Sequence, residues 1–116
     1  MVRQTNPDFL NGVPELLVLN ELRTREMYGY ELVQAIRDGT AGAVNFSEGV
    51  IYPTLHALEV AGALRSRRKA VNGRSRIYYT LTADGARSLK KLAGSWTELA
   101  LAIRRVLDRD ERATTI

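Results

Sequence analysis

The chain has 116 residues, 45% of them apolar and 26% charged, with 17 cations against 13 acids and no cysteine. That length holds one ordinary domain with a single core, and the missing thiols exclude disulfides, thiolate metal sites and cysteine nucleophiles. No apolar run approaches the roughly 20 residues that cross a bilayer, and the start Met-Val-Arg-Gln-Thr-Asn-Pro-Asp lacks the apolar stretch of a secretory signal, so the expected place is the cytoplasm, away from membranes.

Residues 1–9 are polar and are expected to form a flexible arm. From Leu10 to Leu22 the apolar positions Leu10, Val13, Leu16, Leu17, Val18, Leu19 and Leu22 are too dense for one narrow stripe. They predict a helix buried on more than one side, with Pro14 in its first turn, where a missing N–H is harmless. The second side has two candidate covers, this chain's own core and a partner chain. After a loop at Arg23–Glu26, the spacing Tyr28, Leu32, Ile36, with Val33 beside it, predicts a second helix ending near Gly39. For Tyr28 and Tyr30 two readings stand, packing at the core rim and a phenol hydroxyl donated to a phosphate at the helix start.

Phe46-Ser47 announces a third helix. Ser47 is a good N-cap, and Phe46 with Ile51 occupy the positions of a hydrophobic staple. Ile51, Leu55, Leu58 and Ala61 form its buried side, leaving Tyr52, Thr54, His56 and Glu59 on or near the other before a stop close to Gly62. Pro53 interrupts the pattern, so either the helix bends there or its regular part begins later.

A hairpin follows. Asn72-Gly73 suits a two-residue type I′ turn, which pairs Val71 with Arg74, Lys69 with Arg76, Arg67 with Tyr78, Arg65 with Thr80 and Leu64 with Leu81. Alternation then places Leu64, Ser66, Ile77, Tyr79 and Leu81 on one face, with Arg68 the only cation among them. Arg65, Arg67, Lys69, Arg74, Arg76, Tyr78 and Thr80 share the other. Between Val60 and Ala83 lie six cations and no acid, and the other 11 cations are outnumbered by the 13 acids. The basicity is therefore local and implies an anionic partner. Lys69 directly across from Arg76 is unfavourable by a few tenths to about 1 kcal/mol, a cost that a partner would relieve.

Thr82 caps a fourth helix. Leu89, Leu92, Trp96, Leu99, Ile103 and Val106 alternate spacings of three and four, which is a heptad seam, and Ala93, Ala100 and Leu107 widen it. A helix from Ala83 to Asp108 would be about 40 Å long, more than a domain of this size covers, so a second copy is the natural cover. Residues 109–116 are expected to form a disordered tail.

His56 is the only histidine, and no acidic cluster at ligand spacing, Gly-rich phosphate loop or arguable Ser-His-Asp set is present. Neither a catalytic centre nor a metal or cofactor is expected.

The fold class is thus mainly α with a small β-hairpin. Helix, helix, helix, hairpin, helix is the order of a winged helix-turn-helix domain, over residues 10–81, followed by a long C-terminal dimerisation helix at 82–108. Tyr28-Gly29-Tyr30-Glu31-Leu32, the run Ser47-Glu48-Gly49-Val50-Ile51-Tyr52-Pro53-Thr54-Leu55 to Leu58-Glu59 and Gly62, and Arg74-Ser75-Arg76-Ile77-Tyr78-Tyr79-Thr80-Leu81-Thr82 resemble the PadR-like transcriptional regulators. The resemblance spans about residues 10–108 and implies a homodimer joined through its first and last helices. It also implies a third helix, proline included, in the major groove of double-stranded DNA and a wing on the adjacent backbone. A single C-terminal helix with Trp96 in its middle is similar to the short branch of that family.

The DNA-binding candidates are Tyr28, Tyr30, Ser47, Glu48, Tyr52, His56, Arg67, Lys69, Arg74 and Arg76; the seam candidates are Leu89, Leu92, Trp96, Leu99, Ile103 and Val106. Two Trp96 rings across a dimer axis would line a pocket for a planar apolar effector, flanked by Leu92, Leu99 and Ala100, with Glu15 as a polar contact; an ordinary seam residue is the competing reading. The expected function is a ligand-responsive repressor on a palindromic operator. A winged-helix protein-interaction adaptor and a duplex RNA-binding module are the alternatives.

Overall fold

A computed structural model describes residues 12–115, with side chains described to Arg109. Helix α1 spans Val13–Glu21, strand β1 Met27–Tyr28, α2 Gly29–Gly39, α3 Glu48–Val60, β2 Leu64–Val71, β3 Arg74–Leu81 and α4 Ala83–Thr115. The three strands form one antiparallel sheet in the order β1-β3-β2. Leu10 and the N-terminal arm lie outside the described residues.

Helices α1 to α3 bury Val18, Leu19, Leu32, Ile36, Ile51 and Leu55 against one another and against Met27 and Leu64 from the sheet. Each such side chain contributes about 1.5–3 kcal/mol. Pro14 sits in the first turn of α1, as expected. Gly62, at φ 85°, ends α3, and the Ala63 N–H donates back to the Leu58 carbonyl at 2.9 Å. The hairpin has the expected register throughout, with Asn72 and Gly73 both at positive φ as a type I′ turn demands.

Thr82 caps α4. Its hydroxyl accepts from the Gly85 N–H at 3.0 Å and donates to the Gly62 carbonyl at 2.7 Å. This docking is so close that a Cβ on Gly85 would stand 2.1 Å from the Ala63 carbonyl oxygen. Only a glycine fits there without movement.

Several expectations are corrected. The second helix begins one residue later than read, because Tyr28 is extended, pairs with Tyr78 as part of β1, and serves as N-cap of α2. A two-residue strand has no periodicity to announce it. Ser47 occupies the N-cap of α3, but its hydroxyl makes no capping bond. Pro53 lies inside a continuous α3. Thr54 is buried rather than on the open side, donating to the Val50 carbonyl at 2.8 Å, and Ala61 is exposed. Of the seam residues, Leu89 is buried by this chain itself. Helix α4 also continues to Thr115, through most of the segment read as a disordered tail.

Its 33 residues make a rod of about 50 Å. Along it Leu92, Trp96, Leu99, Ile103 and Val106 are between 36% and 52% exposed. The apolar stripe is there, and within one chain most of it is bare.

Candidate nucleic-acid interface

A groove of about 530 Å³ opens between the start of α2, the middle of α3 and the second wing strand, lined by Tyr28, Gly29, Tyr30, Tyr52, Arg74, Ser75, Arg76, Ile77 and Tyr79. No acid lines it. Two cations face it, while the positive end of the α2 dipole is already answered by Glu31, whose Oε1 accepts from the Tyr28 N–H at 3.3 Å. Tyr52 lies over the backbone of α2, and a Cβ on Gly29 would stand 2.6 Å from its ring. Gly29 thus lets α2 and α3 approach so that Tyr52 reaches the groove. Burial raises the Tyr79 phenol above its usual pKa, with further contributions from the Glu59 and Tyr52 charges. It remains a neutral donor. Tyr30 is 48% exposed and its hydroxyl accepts from Gln34 Nε2 at 3.1 Å.

Glu48, Tyr52 and His56 follow at intervals of four along α3, and all three are exposed. They form one exposed stripe along the helix. Ser47 stands half-buried at its start.

The outer face of the wing is occupied differently from the sequence reading. Arg76 lies 4.3 Å over the Tyr28 ring, Tyr28 stands edge-on to Tyr78 at 5.4 Å, and Lys69 lies 4.9 Å over Tyr78. Interleaved aromatic rings separate the two cations that the register sets opposite each other. Tyr78 is consequently buried at 7% exposure, although it shares the face read as open. Beyond it, Glu26 accepts from Arg67 Nη2 at 3.1 and 3.2 Å and from Lys69 Nζ at 2.5 Å. The Lys69 hydrogen bond first, then those of Arg67, hold the Glu26 carboxyl below its usual pKa against an opposing desolvation.

The repulsion read as relieved by a partner is therefore relieved inside the chain, and Arg67 and Lys69 are already engaged. Sequence reasoning missed Glu26 because it counted charge only along the hairpin. Pairing of β1 with β3 brings an acid from 41 residues away beside Arg67. Of the wing cations, Arg65, Arg68 and Arg74 are exposed with no acidic partner among the described residues, Arg68 donating instead to Ser75 Oγ at 3.3 Å.

The effector candidates fall apart into two recesses. Trp96, Leu92 and Leu99 share one of about 150 Å³ with Gly12, Leu16 and Ser95. Glu15 lines the neighbouring one of about 420 Å³, with Asp84, Ser88 and Leu92, and its Oε2 is buried without a hydrogen-bond partner among the described residues. Ala100 lines neither. The first recess is smaller than the roughly 300 Å³ at which ligand pockets begin.

This architecture is a winged helix with an added C-terminal helix. Residues 18–91 match the Transcriptional regulator PadR-like family, and the chain belongs to that family, whose members are transcriptional regulators and not enzymes. It is 32% identical over 93 residues to Transcriptional regulator Rv3488 of Mycobacterium tuberculosis, covering 80% of this chain and 84% of that one. Against Transcriptional regulator YqjI of Escherichia coli it is 36% identical over 83 residues, which is 72% of this chain and 39% of that protein. Among solved structures, a transcriptional regulator from Clostridium thermocellum superposes with a TM-score of 0.78 at 25% identity, over 87% of this chain and 96% of that one. A PadR-like transcriptional regulator from Bacillus cereus gives 0.74 at 31% identity, over 86% and 96%.

Proposed function

We propose that the chain is a homodimeric repressor that reads a palindromic operator in double-stranded DNA. The observation that carries this reading is the acid-free groove joining the α2 N-terminus, Tyr52 and the cations Arg74 and Arg76. A phosphate seated there meets phenol donors and guanidinium groups together. With the backbone held in that groove, Glu48, Tyr52 and His56 face the bases from the exposed stripe of α3, and Ser47 stands beside the flanking phosphate. Tyr30 contributes its hydroxyl. Tyr28 acts indirectly, as the platform for Arg76.

The dimer forms through the bare stripe Leu92, Trp96, Leu99, Ile103 and Val106 on a second copy. A planar apolar effector binds against Trp96, Leu92 and Leu99. The recess in one chain is too small for it, so the second copy supplies the rest of the pocket. Selection from random duplexes with purified protein tests the reading: a palindromic site with half-sites about one helical turn apart supports it. Shape-dependent binding to duplex RNA without sequence preference, or no nucleic-acid binding at all, favours the rivals. Quenching of Trp96 fluorescence by planar aromatic compounds, with loss of operator binding, tests the effector.

A further inference from the structure

Glu26 has no place in the interface just described, yet it contacts two wing cations at once. Its carboxylate lies beneath them: Glu26 is 21% exposed, Lys69 38% and Arg67 64%. An approaching phosphate meets the cations first, but it must compete with a carboxylate that is already in place. We propose that Glu26 is a specificity-setting residue of the wing, which holds Arg67 and Lys69 back from arbitrary DNA and yields them only when a cognate site docks α3. The inference rests on the DNA-binding reading.

The physical reason lies in what each binding mode has to offer. Binding to arbitrary sequence is almost wholly electrostatic, so every cation withheld weakens it directly. A cognate site adds base contacts along Glu48, Tyr52 and His56, which bring the backbone close enough to exchange the Glu26 carboxylate for phosphate oxygens. A solvent-accessible ion pair contributes little to stability, so this exchange is not prohibitive. Acid from β1's flank and cations from β2 are joined only in the folded sheet. The device therefore belongs to the native wing and not to a stretch of sequence.

The test compares wild type with Glu26→Gln on the selected operator and on a random duplex, between 50 and 200 mM salt. Removing one negative charge from beside two cations should steepen the random-duplex salt slope by about 0.9 per protomer, and by up to about 1.8 where both cations gain a phosphate. Affinity for that duplex at 50 mM should rise about tenfold or more by the same counterion release, with a smaller gain on the operator, so the ratio between them falls. A random-duplex slope within about 0.5 of wild type, less than one phosphate contact, overturns the inference.

Arg67→Gln with Lys69→Gln supplies the second arm. Combined with Glu26→Gln it should abolish the gain in random-duplex slope, and a gain that persists without the two cations overturns the inference. If Glu26→Gln does not fold, Glu26→Asp takes its place, since its shorter side chain keeps the charge but loosens the clamp; a random-duplex slope unchanged from wild type then overturns the inference. A wild-type chain that binds neither duplex removes the DNA-binding reading itself. Binding by wild type with an unchanged Glu26→Gln slope removes only this inference.

Discussion

Hairpin β2–β3 answers the most crowded of its cations, Arg67, Lys69 and Arg76, within the chain, whereas helix α4 leaves its apolar stripe bare. On the wing, crowded cations find Glu26 and the rings of Tyr28 and Tyr78. On α4, Trp96, Leu99, Ile103 and Val106 are each 45% exposed or more, and the domain beside them is too small to reach along the rod. The contrast teaches that a charged surface can be completed by a few residues from a neighbouring strand, because one carboxylate answers two cations. An apolar stripe needs area, and area on that scale comes only from another folded surface.

The largest expected effect falls on the bare stripe of α4. Leu99→Glu with Ile103→Glu would bury unpaired charges at the seam at about 3–5 kcal/mol, weakening the dimer more than 10²-fold. Circular dichroism should remain native, because both side chains are exposed within the chain. Sedimentation at micromolar concentration checks it, and an unchanged dimer would remove the seam.

Gly85→Ala comes next and attacks the joint between the two regions. With the Ala63 oxygen 2.1 Å from the new Cβ, α4 must shift away from the wing, and thermal unfolding should report a loss of about 2–4 kcal/mol. An unchanged Tm would mean that α4 is docked more loosely than its cap at Thr82 implies.

Arg74→Gln with Arg76→Gln should lower the operator salt slope by up to about 3.6 per dimer while leaving sedimentation unchanged. An unaltered slope takes the acid-free groove out of the interface. Gly29→Ala is expected to be milder. It pushes the Tyr52 ring off α2 at about 1–2 kcal/mol of stability, and it should weaken operator binding more than random-duplex binding, since Tyr52 belongs to the base-facing stripe.

The smallest effect is the pH response of Glu26. Its folded pKa is depressed by Lys69 and Arg67, so the stability it adds is present above the ordinary carboxylate value and is lost as pH falls through the folded one. Urea midpoints of wild type and Glu26→Gln should therefore converge as pH drops below that range. Parallel curves would mean that the clamp adds nothing to wing stability.

Much of this was legible in local pattern. Asn72-Gly73 announced the turn, and every hairpin pair followed from it. Phe46 and Ile51 marked the start of α3 and both are buried; spacings of three and four marked the stripe on α4. Burial at Thr54 was not legible, because its side chain satisfies itself on the Val50 carbonyl and can then enter the core. Nor was β1, whose two residues are a strand only because β3 pairs with them.

Local pattern, then, was enough for the four helices, the hairpin register and the side of α4 that stays apolar, because each depends on neighbours within a few turns or across one tight loop. Only the tertiary structure decided which wing cations are free. That depends on Glu26 and Tyr28 arriving from a distant part of the chain, and Coulomb and cation–π contacts act through space over a few ångströms whatever the separation along the backbone.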